Sequence, residues 1–346
     1  MLQFQTLPKL KKGDKVAILS PSYAAPARWP HIHELGLKRL REHFELEPVE
    51  FPTTRQLGAS GELRARDLVA AFENPEIKGV IASLGGDDQV TYVKNLPGEV
   101  FRDNPKPFWG YSDNTHFANH LWLNGIPSFY GGSLFVQIAM IPEPEPFTYD
   151  YLRKAFFESG EVKLTSSNVY NDIGIGWDDP AKMANPRIYE ANQGWYWDGS
   201  RPDEGFTWGG CIESIDDMLR HGVPLPTLEQ FGQVVLILES SEDMPSPAYV
   251  KVIMRALGER GILERVRGLL VGRPQSWTFE RPLGTAEKVG YQTEQRETIR
   301  NEFRKYNRTV PLVQNLDFGH SNPQICLPYG RKITVDPRMA EIRVEF

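Results

Sequence analysis

Three residues of this sequence stand where apolar runs break off and carry the side chains of nucleophilic catalysis: Ser112, Glu239 and His320. Ser112 lies in Gly110-Tyr111-Ser112-Asp113-Asn114-Thr115, between the apolar run 106–111 and a stretch of helical spacing at 115–123. At a sharp strand-to-helix turn a serine hydroxyl is lifted clear of the backbone. The N–H groups that follow, at the positive end of the helix, face whatever the oxygen attacks. Asn114 stands where the G-x-S-x-G elbow has its second glycine. Ser, Asp and Asn are also good helix caps, which is the plainer reading of the same residues.

A nucleophilic serine needs a base, and the base needs an acceptor to orient it. Of the seven histidines, His31, His33 and His43 sit on or beside a charged helix and read as surface residues. His116 and His120 have the spacing of a zinc pair, but the residues between them lack the glutamate of H-E-x-x-H, and no metal is expected. His320 occupies Phe318-Gly319-His320-Ser321-Asn322-Pro323, where glycine and Asn-Pro describe a tight loop presenting the imidazole. A structural or solvated histidine remains the plainer alternative. Glu239 follows the five apolar residues 234–238, so its carboxylate emerges half desolvated at a strand's rim and needs a partner. A histidine N–H suits it. Glu242 and Asp243 are rival acids, further into the loop and read as solvated. Gly85 and Gly86, in Ser83-Leu84-Gly85-Gly86-Asp87-Asp88, let backbone approach a substrate and turn N–H groups toward it. An oxyanion hole, a phosphate cradle and a plain turn all fit, although neither G-x-x-x-x-G-K-[ST] nor G-x-G-x-x-G is present.

The elements that must position these residues alternate. Strands are expected at 15–19, 79–84 and 106–111, and helices at 33–44, 61–72 and 115–123. This order predicts a doubly wound, largely parallel sheet with its ligands at the carboxyl ends of the strands. The stretch 141–148 is punctuated by proline, and 166–204 is rich in Asn, Asp, Gly and Trp. A second unit carries strands at 233–238, 268–271, 332–336 and 340–346, and helices at 214–221, 248–257 and 294–306. Expected domains are therefore 1–165, a linker and Trp-rich loop at 166–204, and 205–346. At 346 residues the chain suits two domains of ordinary size. Its hydrophobic content of 40% and charged content of 24% are globular values. Two cysteines exclude a disulfide scaffold and a four-cysteine zinc site. No apolar run suits a membrane span or signal peptide, so a cytoplasmic location is the default. The net charge of −6 argues against a nucleic-acid polymer as partner.

The motifs GYSDNT at 110–115, GG at 85–86, LILES at 236–240 and DFGHSNPQICLPYG at 317–330 together resemble the LD-carboxypeptidase family of serine peptidases. GDKVAILSPS near the start, ARDLVAAFENPEIKGVIASLGG at 65–86 and GGCIESI at 209–215 extend the likeness over most of the chain. S-L-G-G-D and L-E-S stand where LD-carboxypeptidases proper tend to have R-G-G-Y-G and L-E-D. These variants are closest to the microcin C self-immunity branch. The resemblance implies an N-terminal parallel-sheet domain similar to class I glutamine amidotransferases and a smaller, swivelling, β-rich C-terminal α/β domain. It also implies a triad of Ser112 as nucleophile, His320 as base and Glu239 as orienting acid, with Gly86 and Asp113 N–H groups as oxyanion hole. A homodimer without metal or cofactor is implied, acting on a small peptide or an aminoacyl-nucleotide-like compound. The alternatives are a muropeptide carboxypeptidase releasing terminal D-alanine and a non-catalytic binding homologue. Gly85 would then lie beside the substrate. Trp177, Trp195 and Trp197 could stack on a nucleobase or simply pin their loop, and Arg273 is a surface arginine or an anion contact.

Overall fold

The computed structural model describes residues 2–346. Five strands, β1 (Lys15–Leu19), β2 (Glu47–Glu50), β3 (Ile77–Ala82), β4 (Phe108–Gly110) and β5 (Ser128–Tyr130), lie in the first part of the chain. There follow β6 (Glu161–Lys163), β7 (Val169–Tyr170), β8 (Glu190–Ala191), β9 (Tyr196–Asp198) and β10 (Asp203–Cys211). The rest are β11 (Val234–Glu239), β12 (Gly268–Gly272), β13 (Leu312–Leu316), β14 (Leu327–Tyr329), β15 (Lys332–Asp336) and β16 (Glu341–Glu345).

Two sheets result. The first runs β14-β5-β4-β3-β1-β2, with β1 to β5 parallel and β14 antiparallel at the edge. The second runs β6-β16-β15-β10-β11-β12-β13-β9. Its centre, β10 to β13, is parallel, and antiparallel strands flank it on both sides. All of β11 is buried, as a strand covered on both faces must be, and its unbroken apolar run is the sequence mark of that position. The doubly wound first sheet is as expected. The second is β-rich, but with eight strands it is the larger sheet.

The two halves of the chain trade strands. β6, from before residue 165, completes the second sheet, while β14, from beyond 205, edges the first. Neither is visible as a strand in the sequence: β6 is a short edge segment without an apolar pattern, and β14 is three residues around a proline. The stretch 166–204 also corrects the expectation of a plain loop, since it folds into the β7–β8 ribbon and the edge strand β9.

One apolar core joins the sheets and includes Trp109, Trp122, Trp208, Leu236 and Tyr329. Helix Thr115–Leu123 of the first half docks directly on β10 of the second. Trp122 Nε1 donates to Thr207 O at 3.1 Å, and Trp208 Nε1 donates to Asn119 Oδ1 at 3.0 Å. The segment following Ser112 is thereby welded to the second sheet. Among the described residues no helix is long and apolar enough to cross a membrane.

Candidate active site

β4 ends in Gly110, and two residues later Ser112 takes a φ of +63°. That left-handed conformation costs a non-glycine residue roughly 1–2 kcal/mol, and such strain clusters at functional sites. Side chains from both halves of the molecule hold the elbow in this shape. Ser112 O accepts from Thr115 Oγ1 at 2.6 Å and from Ser214 Oγ at 3.2 Å. Asn114 replaces the second elbow glycine because its side chain is needed: Nδ2 donates to Leu84 O at 3.1 Å and to Tyr111 O at 3.0 Å. The elbow is so tied to the glycine loop. The helix-cap reading of Ser112 fails, since neither the Ser112–Asn114 turn nor helix Thr115–Leu123 has a side-chain cap.

The glycine loop approaches the serine closely. A Cβ on Gly85 would stand 3.0 Å from Ser112 Oγ and 3.4 Å from Asp113 N. Gly86 has a φ of +155°, and a Cβ there would fall 2.0 Å from Ser22 Oγ. Only glycine suits this position. Arg64 grips Asp88 with a bidentate fork, both contacts 2.6 Å, which fixes the far end of the loop. The Asp113 side chain points into the protein, accepts from Gln89 N at 3.1 Å, and is pushed up to about 6 by burial. Because that value lies above the ordinary carboxyl range, the fold loses stability as the pH rises from about 4 to about 6, and the full cost of the buried charge is present above that. Asp113→Asn is therefore expected to raise the thermal midpoint more at pH 8 than at pH 5, as scanning calorimetry would register.

Glu239 ends β11, opposite Cys211 of β10, and is buried. Its Oε2 lies 2.6 Å from His320 Nδ1, and its Oε1 accepts from the Tyr130 hydroxyl at 2.6 Å. Gly319 makes the first contact possible: with φ at +100°, a Cβ there would sit 2.7 Å from Glu239 Oε2. Burial works against an imidazolium, but the charges of Glu239 and Glu242 hold His320 well above the ordinary histidine range. Glu242 Oε2 lies 3.1 Å from His320 Nε2. Glu242 is exposed, as expected of a solvated loop acid, and in addition reaches the histidine.

Ser112 and His320 line one cleft of about 520 Å³ between the sheets, together with Gly85, Gly86, Glu242 and Trp177. Trp177 meets Trp29 and Phe135 edge to face, at 5.1 and 5.4 Å between centroids. Trp195 and Trp197 are not in the lining. Trp197 pairs with Val313 at the sheet edge, and Trp195 Nε1 donates to Asp317 Oδ2 at 2.9 Å. Both pin the chain rather than face the cleft. Arg273 is no surface residue either; it is buried and paired with Asp317. His33 is likewise buried, 3.3 Å from Glu50. His116 and His120 are inside the first unit, and burial lowers each to about 4.

Sequence reasoning missed Tyr130, Tyr23, Trp29 and Phe279. The last three line the cleft, and Phe279 leaves 60% of its surface open there. Tyr130 bridges the halves: besides Glu239 it receives the Ser112 N–H at 3.3 Å. Its place before Gly131-Gly132 at a strand end was the available signal. Tyr130→Phe takes a donor from a buried carboxylate, so a loss of about 1–3 kcal/mol is expected in denaturant unfolding.

A serine at a strand-to-helix elbow and a carboxylate-backed histidine, meeting in one cleft, have the layout of a serine hydrolase. The chain belongs to the LD-carboxypeptidase family: the family's N-terminal domain matches residues 16–131 and its C-terminal domain residues 204–335. Among its relatives is the microcin C7 self-immunity protein MccF of Escherichia coli, 22% identical over 94% of this chain and 92% of that protein. A structure of MccF in complex with glutamyl sulfamoyl guanosine shares the fold, with a TM-score of 0.85 at 21% identity over 98% of each chain. An MccF-like protein from Streptococcus pneumoniae, solved in complex with AMP, gives 0.82 at 26% identity, over 96% of this chain and 98% of that one. A probable murein peptide carboxypeptidase of Bacillus subtilis is 26% identical over 94% of this chain and 90% of that protein. The chain is thus a serine-type carboxypeptidase by family.

Proposed function

We propose that this protein hydrolyses the amide linking an aminoacyl or peptidyl group to a nucleotide-like leaving group, through a triad of Ser112, His320 and Glu239. One observation carries the triad: a strained Ser112 and a His320 held by buried Glu239 at 2.6 Å line the same cleft. The nucleotide-like leaving group rests on the relatives with sulfamoyl guanosine and AMP, and on the aromatic wall of Trp29, Trp177 and Phe279.

In the reaction, neutral His320 takes the Ser112 proton at Nε2 as Oγ attacks the carbonyl carbon. Glu239 keeps Nδ1 protonated and steadies the imidazolium. The tetrahedral oxyanion lies against the N–H groups of Gly86 and Asp113, each donor being worth on the order of 10²–10³ in rate. His320 then protonates the leaving nitrogen, and water, activated by the same imidazole, clears the acyl group from Ser112.

The test offers an aminoacyl sulfamoyl adenosine and a tetrapeptide ending in D-alanine, with products read by mass. Cleavage of the nucleotide-linked compound supports the proposal, and release of D-alanine alone overturns it in favour of a muropeptide carboxypeptidase. Trp177→Ala is expected to raise KM on the nucleotide-linked substrate about tenfold, since base–aromatic stacking contributes about 1–3 kcal/mol. Steady-state kinetics should show kcat nearly unchanged.

A further inference from the structure

The nitrogen of His320 that must receive the serine's proton lies beside a second carboxylate. His320 Nε2 faces Glu242 Oε2 at 3.1 Å, while Nδ1 faces Glu239. A histidine held between two carboxylates stays protonated, and an imidazolium is no base. Glu242 has to leave Nε2 before Ser112 can be activated.

What draws it away is written in the other charges of the cleft. Asp172 is spent on Ser276 and Lys288, and Asp178 on Trp29 Nε1 and Arg28. Among the described residues Glu242, by contrast, pairs only with His320, and it leaves 62% of its side chain open. It does not hang loosely. Ser241, just before it, is fastened to Glu213 through its N–H at 3.2 Å and its hydroxyl at 2.8 Å. Met244, two residues further on, closes the turn with a φ of +50°. The turn aims a largely exposed carboxylate at the reacting centre.

We infer that Glu242 is a specificity-determining residue that binds the free α-ammonium group of the scissile aminoacyl residue, and that this binding uncovers His320 Nε2 for Ser112. An α-nitrogen lies about 2.5 Å from its own carbonyl carbon, so a carbonyl seated at Ser112 brings its ammonium beside Nε2, within reach of Glu242. Once Glu242 has moved, His320 gives its Nε2 proton to solvent and stands neutral, facing Glu239 on β11 and the Tyr111 ring at 4.9 Å. A substrate whose α-nitrogen is acylated has no charge to exchange for His320. This inference rests on the proposed amide hydrolysis for the identity of the acyl group, and it selects substrates with a free amino end over peptides joined through that nitrogen.

The experiment pairs an aminoacyl sulfamoyl adenosine with its N-acetyl derivative. In Ser112→Ala protein, calorimetry is expected to show the free-amino compound binding about 10- to 100-fold tighter, the range of a charged hydrogen bond. Adding Glu242→Gln should bring the ratio close to one, whereas Asp243→Asn, outside the cleft lining, should leave it unchanged. In protein with Ser112 intact, Glu242→Gln should also shift the acid limb of the N-acetyl substrate's pH–rate profile to lower pH, since His320 keeps only Glu239. An unchanged binding ratio in the Glu242→Gln protein, or no binding of either compound, overturns the inference. Binding with the expected ratio but no hydrolysis by the intact protein overturns the amide-hydrolase reading and leaves the recognition by Glu242 standing.

Discussion

Ser112→Ala is expected to lower kcat on the cleaved amide by a factor on the order of 10⁴ to 10⁶, the size seen when a triad nucleophile is removed. The same change should move the thermal midpoint by no more than about 2 °C, because it deletes one hydroxyl that serves as no helix cap. Alanine carries the same left-handed strain as serine at a φ of +63°, so it brings no new backbone cost. The elbow's own fastenings run through Ser112 O and N, which stay: Thr115, Ser214 and Tyr130 keep their contacts. Activity and stability should therefore part completely in this variant. A large drop in midpoint with activity retained would mean that Ser112 serves the fold alone.

Glu239→Gln should cost a factor on the order of 10³ to 10⁴ in kcat. Oε2 receives the His320 Nδ1 proton, and Oε1 accepts from Tyr130. An amide can satisfy only one of these with its oxygen. If its nitrogen turns to His320, it donates to Nδ1 and forces the proton onto Nε2, where no proton can be taken from Ser112. The variant should also separate from the parent in stability, with a defined pH course. Two carboxylates raise His320 above its unfolded value against the effect of burial, so the stability they contribute is complete below about pH 6.5 and fades as pH rises through the raised value. The stability gap between parent and Glu239→Gln is thus widest at acid pH and narrows toward alkaline pH, as denaturant titrations across that range would show.

The residues with the plainest positions were legible before the fold. Helix Thr115–Leu123 and strands Lys15–Leu19 and Lys332–Asp336 fall where periodicity puts them. Ser112, Glu239 and His320 could be picked out because each follows an apolar run, and an apolar run in this kind of chain is a strand whose end opens on the cleft. Helix Pro146–Phe157 was hidden by prolines at 142, 144 and 146, although Pro146 simply occupies its first turn and Glu145 caps it through Thr148 N at 2.7 Å. Tyr130 was hidden for another reason, and so was the contact of Glu242, named only as a rival acid, with His320. Tyr130 meets Glu239 across 109 residues, and Glu242 matters through a turn whose direction is set by Glu213. No local pattern encodes either. The tryptophans show the same limit: Trp109, Trp122 and Trp208 are core, Trp195 and Trp197 brace an edge, and Trp177 faces the cleft. Composition alone cannot sort them.

The central claim is that Ser112 carries the acyl group between two half-reactions, and rapid-quench mass spectrometry tests it most directly. Protein mixed with an aminoacyl sulfamoyl adenosine, stopped within milliseconds and digested, should show the aminoacyl mass on the peptide containing Ser112, with none in Ser112→Ala protein. An adduct on another residue, or full turnover by Ser112→Ala, would contradict it.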